Sequence, residues 1–177
     1  MPNSITKIGR YAFAKCSGIS AVTFCNSVYS IGPFSFMGCE SLKNVYFADS
    51  VKTIGDYAFY TCKKLNEIIM GVYLQYIGNY AFANTSLSSV NIPASVIKIG
   101  KFAFADCPNL ISITVDEANT SYNFLDGILY TYAFDTLMQC GSGKVGGFSI
   151  PDQVKYIEDG AFYNCTQKTG NLVFPEN

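Results

Sequence analysis

Residues 51–62 read VKTIGDYAFYTC, and the Ile-Gly-x-x-small-Phe pattern inside them recurs along the chain. Five copies of this pattern have their isoleucines 23, 23, 23 and 22 residues apart, and a sixth follows after 58 residues. The six copies begin at Ile8, Ile31, Ile54, Ile77, Ile99 and Ile157. A fixed period of this length indicates one small unit that stacks on copies of itself.

Two further apolar columns keep the same register. An aliphatic residue stands three positions before each isoleucine, and a leucine or isoleucine follows the phenylalanine of the first five copies by five or six positions. Short β-rich segments come next, at residues 22–24, 45–47, 68–70, 90–92, 113–115, 148–150 and 172–174. Their alternating apolar residues predict strands with one buried face. Each unit is therefore predicted to be a strand, a turn and a compact helical or 3₁₀ turn around Ala-Phe.

Residues 116–147 interrupt the period, and they predict a hairpin with strands near 128–130 and 136–140. We predict one solenoid over residues 1–177, with regular repeats at 2–115, an irregular hairpin repeat at 116–150 and a final repeat at 151–177. The chain begins and ends at the same phase of the repeat without a polar cap. Because solenoids normally need such caps, we expect a piece of a longer array, or ends that associate end to end or with partners.

The composition excludes several functions. The 177 residues include 12 Lys and Arg against 13 Asp and Glu, a net charge of −1, and 49% apolar residues. Nucleic-acid binding requires a basic surface, which this chain lacks, so we predict none. No segment approaches the roughly 18 apolar residues of a membrane-spanning helix, so we predict no membrane insertion by this segment.

Catalysis is also disfavoured, because the chain contains no histidine. This absence excludes Ser-His and Cys-His pairs, the HExxH zinc site and imidazole acid–base chemistry. Residues 141–146 match G-x-G-x-x-G, but they lead into a strand and are predicted to form a turn. Asp116, Glu117 and Asp126 lie in the insert without a calcium-loop pattern. We predict no enzyme activity, no catalytic residue, no cofactor and no metal site.

Cysteines and aromatic residues form columns of their own. Five of the seven cysteines, at positions 16, 39, 62, 107 and 165, follow the repeat phenylalanine by three residues, which favours a buried structural column over a disulfide or metal role. A second column contains Tyr11, Phe34, Tyr57, Tyr80 and Phe102. We interpret it as a stacking ladder on the convex side, with a sugar- or peptide-binding stripe as the alternative. Asn-x-Ser/Thr sites at residues 84, 119 and 164 are compatible with secretion.

The combined pattern Leu-x-x-Val-x-Phe, then Val-x-x-Ile-Gly-x-x-Ala-Phe-x-x-Cys, resembles the BspA-like leucine-rich repeat of bacterial and protist surface proteins. The resemblance implies an α/β-type repeat solenoid, a right-handed coil with a parallel sheet on its concave face and short helical or 3₁₀ turns on its convex face. Glu158 departs from the glycine column. That departure questions whether the column requires a positive φ angle.

The resemblance further implies a non-enzymatic interaction or adhesion module, secreted or at the cell surface, that binds a macromolecule through the concave sheet. The partner is expected to be a protein, with host and extracellular-matrix proteins as candidates. A cytoplasmic leucine-rich-repeat scaffold with reduced cysteines is the alternative, and a solvated sheet that binds nothing is also open. The candidate binding residues point away from the core: Lys43, Asn44, Tyr46, Asn66, Glu67, Ile69, Ser88, Ser89, Asn91, Ile111, Ser112 and Thr114.

Overall fold

The structure is a computed structural model that describes residues 4–166 and 172–174. The predictions about the first and last residues of the chain fall largely outside this part. Within it, the chain forms short β-strands joined by turns. The strands are β1 (Lys7–Ile8), β2 (Ala21–Thr23), β3 (Ser30–Ile31), β4 (Asn44–Tyr46), β5 (Thr53–Ile54), β6 (Glu67–Ile69), β7 (Tyr76–Ile77), β8 (Ser89–Ile92), β9 (Lys98–Ile99), β10 (Ser112–Val115), β11 (Tyr122–Leu125), β12 (Ile128–Thr131), β13 (Thr136–Cys140), β14 (Phe148–Ser149), β15 (Tyr156–Ile157) and β16 (Leu172–Val173).

Each repeat contributes two strands, and most of these strands pair in parallel with their counterparts in the neighbouring repeats. We number the coils 1 to 6 by the copies that begin at Ile8, Ile31, Ile54, Ile77, Ile99 and Ile157. The first strands, β1, β3, β5, β7 and β9, form one five-stranded parallel sheet. The second strands form a parallel sheet of β2, β4 and β6 and a parallel pair of β8 and β10. Equivalent residues therefore stack on one another, as Val22 does on Val45.

The second strands lie where the alternating pattern predicts them, displaced by one residue. Residues 45–47 predict a strand that the structure has at Asn44–Tyr46, and β14 and β16 lie within the predicted segments 148–150 and 172–174. The first strands were not predicted, because two residues are too few to show alternation. Their inward isoleucines were nevertheless assigned correctly to the core, as Ile31 and Ile54 are buried.

The prediction of helical or 3₁₀ turns is wrong, since no helix occurs in residues 4–166 or 172–174. The hydrogen bonds of coil 3 give the reason. The N–H groups of Tyr57, Phe59 and Thr61 donate to carbonyl groups 22 residues further on, in coil 4. Those of Ala58 and Tyr60 donate three residues back within the turn. Every second N–H is thus committed to the neighbouring coil, and a continuous helical ladder cannot form.

The glycine column allows neighbouring coils to approach closely, and its glycines do not have a positive φ. A Cβ atom at Gly78 would lie 2.5 Å from the backbone nitrogen of Asp56 in the preceding coil. Positive φ occurs two positions later, for example at Tyr57 with 56°, and Gly160 occupies this position in coil 6. Glu158 is tolerated in the glycine column where the preceding neighbour is the insert, and its N–H donates to the carbonyl of Leu137 at 2.9 Å.

The predicted hairpin is present and larger than expected. Strands β12 and β13 pair antiparallel with an irregularity between Leu129 and Tyr130, and β11 adds a third antiparallel strand. On its other side β13 pairs in parallel with β15 of coil 6. The edge of β9 is covered by a side chain, because the N–H of Ile99 donates to the hydroxyl oxygen of Tyr122 at 2.8 Å.

The core consists of two hydrophobic clusters that meet at the hairpin. The larger extends from Ile8 to Leu129, and the smaller contains Ile128, Tyr130 and residues of coil 6. Successive side chains of β12 therefore face different clusters, as alternation along a strand requires. Stacked phenylalanines with centroids 5.0–5.7 Å apart run through the larger cluster: Phe13, Phe36, Phe59, Phe82 and Phe104.

Candidate functional site

The candidate binding residues lie on and beside the second strands. Alternation buries Val45, Val90 and Ile113 and turns their neighbours outward. Parallel pairing sets the neighbours side by side, Asn44 with Glu67, Tyr46 with Ile69, Ser89 with Ser112 and Asn91 with Thr114. We call the outward side chains of β4, β6, β8 and β10, with Lys43, Asn66, Ser88 and Ile111 before them, the strand face. Its members are exposed or half-buried.

Polar pairs and two apolar side chains define the chemistry of the strand face. The hydroxyl of Tyr46 donates to Oε2 of Glu67 at 3.2 Å, and that of Thr114 lies 3.0 Å from Oδ1 of Asn91. Desolvation and the hydrogen bond to Glu67 raise the pKa of Tyr46, so the phenol stays a neutral donor. Ile69 and Ile111 are 54% and 57% exposed. The face can offer hydrogen bonds and apolar contact, but it contains no acid–base or nucleophilic pair.

The strand face is interrupted between β6 and β8, which do not pair. One residue separates Thr85 from Leu87, whereas two residues separate the equivalent cysteine and leucine in the neighbouring copies. Among the described residues, the N–H groups of Ile68 and Met70 reach no backbone carbonyl. Ile68 is only half-buried, whereas Val45 at the equivalent position is buried. The shorter copy thus displaces one strand and opens its neighbour's edge.

The cysteine column is structural where the coils are covered on both sides. The thiols of Cys39, Cys62 and Cys107 are buried, and each donates to a phenylalanine carbonyl of the preceding coil at 3.1–3.3 Å. Burial raises the pKa of Cys39 to about 11 and that of Cys62 to about 12. Both thiols therefore stay protonated and unreactive at neutral pH. Cys16 is exposed, so the prediction of a uniformly buried column is wrong at that position.

The second aromatic column is a continuous stack. Successive centroids from Tyr11 to Phe102 are 4.8–4.9 Å apart, with interplanar angles of 3–20°. This geometry agrees with the interpretation as a stacking ladder. The guanidinium carbon of Arg10 lies 5.1 Å from the ring centroid of Tyr11 and 4.9 Å from that of Phe34, so the ladder also contacts a cation.

Two sequence motifs have structural roles. Asn119 is buried, and its Nδ2 donates to the carbonyls of Pro93 at 2.8 Å and Val96 at 3.0 Å. This side chain cannot accept a glycan in the folded chain. The glycine-rich segment 141–146 forms a turn before β14, as predicted. No group of three or more His, Cys, Asp or Glu in the described part of the chain could hold a metal ion.

One exposed apolar group was missed from the sequence. Val72 and Tyr73 lie in the turn after β6 and are 58% and 63% exposed. Tyr73 stands in a column of serines, where Ser50 and Ser95 donate to carbonyls of the preceding coil at 2.7 and 2.6 Å. The tyrosine in place of this structural serine is the feature of the sequence that could have indicated an exposed side chain here.

The geometry defines a class: a solenoid of parallel-strand coils with the leucine-rich-repeat fold. The chain matches the family described as BspA type leucine rich repeat region, in 6 copies, over residues 1–123 and 129–177. It therefore belongs to the BspA-type leucine-rich-repeat family, and it is a repeat protein-interaction module. No curated protein matches the chain. In the described residues, no helix has the length and apolarity needed to cross a bilayer.

Solved structures share the fold. A leucine rich cell surface protein from Faecalibacterium prausnitzii has a TM-score of 0.82 and 29% identity, over 96% of this chain and 51% of that one. A leucine-rich repeat protein from Eubacterium ventriosum has a TM-score of 0.70 and 26% identity, over 88% of this chain and 47% of that one. The pneumococcal vaccine antigen PcpA, at 22% identity and a TM-score of 0.76 over 96% of this chain and 51% of that one, is similar in fold alone. The chain spans about half the length of these proteins.

Proposed function

We propose that the chain is a non-enzymatic binding module that attaches to a protein partner through the strand face. The observation that carries this proposal is the exposure of Ile69 on β6 and of Ile111 directly before β10, each among polar neighbours. Apolar side chains surrounded by polar ones are typical energetic centres of protein interfaces. Lys43, Asn44, Asn66, Glu67, Ser88, Asn91 and Thr114 would form the polar rim around the anchors Tyr46, Ile69 and Ile111.

Display at the cell surface or secretion is part of the proposal. It is supported by family membership and by the similarity to the leucine rich cell surface protein from Faecalibacterium prausnitzii. The partner would then be an extracellular-matrix or host-surface protein, and the module would serve adhesion. A cytoplasmic scaffold is the second candidate, favoured only by the reduced thiols of Cys39, Cys62 and Cys107.

The test measures binding to a panel of purified extracellular-matrix and cell-surface proteins by surface plasmon resonance. The affinities of two double variants are compared with that of the parent chain. We expect Tyr46→Ala with Ile69→Ala to weaken binding to the protein that the parent chain binds, by about tenfold or more, because hot-spot truncations cost roughly 2 kcal/mol. The unfolding temperature should change little, since Ile69 is exposed and Tyr46 is only half-buried.

The matched control is Tyr29→Ala with Ile97→Ala, which removes two side chains that are 41% and 51% exposed and lie off the strand face. This variant should bind like the parent chain. Equal loss of affinity in both double variants, or unfolding of the Tyr46/Ile69 variant, would contradict the assignment of the strand face.

A further inference from the structure

A cavity of about 410 Å³ lies at the junction between coil 5 and the insert. Its volume falls in the range of roughly 300–1,000 Å³ that ligand sites occupy. The cavity shares no residue with the strand face, so a ligand bound here is independent of the proposed function. Exposed residues form its mouth and buried residues form its floor: Asn79, Lys98 and Lys101 at the mouth, and Ala103, Phe104 and Leu129 at the floor.

The insert interrupts the hydrogen bonds between coils at this cavity. In the regular coils the repeat phenylalanine donates to the next coil, as the N–H of Phe82 does to the carbonyl of Ala103 at 2.9 Å. The equivalent acceptor for Phe104 would be the carbonyl of Ala161 in coil 6. That carbonyl instead accepts the N–H of Cys140, at the end of β13, at 2.8 Å. The insert has therefore taken the acceptor that the regular repeat would provide for coil 5.

Two backbone donors of coil 5 consequently lack a partner. Within residues 4–166 and 172–174, the N–H groups of Phe102 and Phe104 reach no acceptor, whereas that of Ile99 is covered by the hydroxyl of Tyr122. Both phenylalanines line the cavity. The equivalent N–H groups of the other coils point toward the following coil, which is the side where the cavity lies. Because Phe104 is fully buried, only a molecule inside the cavity can supply its acceptor.

The opposite wall of the cavity supplies an acceptor. Gln139 on β13 is buried and lines the cavity, and its Nε2 donates to the carbonyl of Cys140 at 3.2 Å. Its Oε1 accepts no hydrogen bond from the described residues. Among these residues, Oγ of Ser35 is the one fully enclosed side-chain nitrogen or oxygen without a partner, so the Gln139 oxygen is accessible. A ligand in the cavity can therefore donate a hydrogen bond to it.

The mouth of the cavity has one cation without an ion pair. The ammonium of Lys101 lies 3.2 Å from Glu158 and 2.7 Å from Asp159, and these carboxylates compensate its charge. Lys98 is exposed and forms no ion pair within the described part of the chain. An unpaired ammonium beside an apolar floor favours a ligand that carries a carboxylate next to an apolar group.

We propose that this cavity binds an extended peptide segment of a protein partner, with an apolar side chain and an acidic one close to it. Alternate carbonyls of an extended peptide point in the same direction, so the segment would accept from the N–H groups of Phe102 and Phe104 together. One of its own N–H groups would donate to Oε1 of Gln139. Its apolar side chain would contact Leu129, and its carboxylate would contact Lys98. Pairing of a peptide with an open backbone edge is a recurring mode of recognition.

An NMR titration with the blocked tetrapeptide acetyl-Ala-Leu-Ala-Glu amide tests the proposal. We expect saturable downfield shifts of the amide protons of Phe102 and Phe104, because each gains an acceptor. The amides of Phe36 and Phe59 already donate to the next coil and should not move. A probe with Ser in place of Leu should bind about tenfold more weakly, because the apolar side chain is no longer buried. The absence of saturable shifts at Phe102 and Phe104, or equal affinity for the two probes, would overturn the proposal.

Three variants locate the site. Lys98→Gln should weaken binding of the leucine probe about threefold, the effect of an exposed ion pair. Lys7→Gln is the matched control, because Lys7 is exposed at the same position of coil 1, and it should bind the probe normally. Gln139→Leu removes the acceptor at similar size and should weaken binding about tenfold, the cost of an unpaired donor.

Urea denaturation verifies the fold of each variant. Because Lys98 is exposed, its variant remains informative even if Gln139→Leu is unstable. Equal affinity of Lys98→Gln and Lys7→Gln, or parental affinity in a folded Gln139→Leu, would place the peptide elsewhere and refute the site.

Discussion

Close contact between neighbouring backbones explains why a glycine follows the repeat isoleucine in the regular coils of this chain. At Gly78 a methyl group would lie 2.5 Å from the nitrogen of Asp56. We therefore expect Gly78→Ala to lower the free energy of unfolding by about 1–3 kcal/mol, the usual cost of overpacking a close contact. Urea denaturation, with the slope compared between variant and parent, measures this change.

Gly9→Ala is the matched control, because Gly9 stands in the same column and a Cβ there meets nothing within 4 Å. This variant should keep the midpoint of the parent chain within experimental scatter. A similar loss in both variants would show that the backbone conformation at this position disfavours a residue with a Cβ atom, and that close approach of neighbouring coils does not explain the glycine column.

The positive φ angles show what residue types alone could not reveal. Tyr11, Phe34, Tyr57, Tyr80 and Phe102 have φ between 53° and 58°, a region that bulky residues rarely adopt. Stacking with neighbours at 4.8–4.9 Å and inter-coil hydrogen bonds stabilise this conformation. The sequence predicts the column and its stacking, but it raises a positive φ only for the glycine two positions earlier, where Glu158 already argues against it. Only the backbone traced through successive coils shows which of the two positions needs the unusual angle.

At the scale of elements, the pairing of a strand's edge determines which of its backbone N–H groups are protected from hydrogen exchange. In coil 2 the N–H of Phe47 donates to the carbonyl of Ile69 at 2.9 Å. The equivalent group in coil 3, that of Met70, reaches no backbone carbonyl in the described residues, and neither does that of Ile68. We expect the amides of Ile68 and Met70 to exchange with deuterium at least about tenfold faster than that of Phe47. Residue-specific exchange followed by NMR measures the rates.

Restoring the period tests the cause of this difference. One lysine inserted between Thr85 and Ser86 gives the short copy its usual length and should join β6 to β8, slowing both amides. Ser86→Lys adds the same side chain without a length change and should leave them fast. Slow exchange of Ile68 and Met70 in the parent chain would mean that the two strands are already paired.

The turns illustrate why element type was predicted less well than element position. The Ala-Phe segment is compact and follows a strand, and these features favour a helical turn when one coil is considered alone. The deciding interaction is with the next coil, where Phe59 donates to Ala81 and Phe82 to Ala103. A single repeat contains no sign of this partner. Short first strands such as Thr53–Ile54 were overlooked for the same reason, because they exist only as members of a ladder.

For the whole molecule, periodicity predicted which residues of the regular coils are inward and where the repeat is interrupted, but Ile157 in coil 6 is 43% exposed. It could not predict strand β11 or the division of the core at β12, because both depend on contacts that the insert makes only once. The binding role of the strand face, its concave position and the division of the chain into repeats remain predictions.

One hydrogen bond at the junction between the regular coils and the insert is made by the hydroxyl group of Tyr122. Tyr122 is buried, burial raises its pKa, and its neutral hydroxyl accepts the N–H of Ile99 at the edge of β9. Tyr122→Phe would leave that N–H without an acceptor in a dry environment. We expect a loss of about 1–3 kcal/mol in the free energy of unfolding, the cost of an unsatisfied buried donor. Urea denaturation followed by circular dichroism gives the value.

Tyr132→Phe removes a hydroxyl from the same insert and is the appropriate comparison, because Tyr132 is 55% exposed and its hydroxyl has no hydrogen bond within the described part of the chain. That variant should be as stable as the parent. If Tyr122→Phe were equally neutral, the edge of β9 would not depend on the tyrosine, and the insert would be held to coil 5 by apolar contacts such as that of Leu129 with the larger cluster. A stability loss confined to Tyr122→Phe would instead identify this hydrogen bond as a contributor to the attachment of the insert to coil 5.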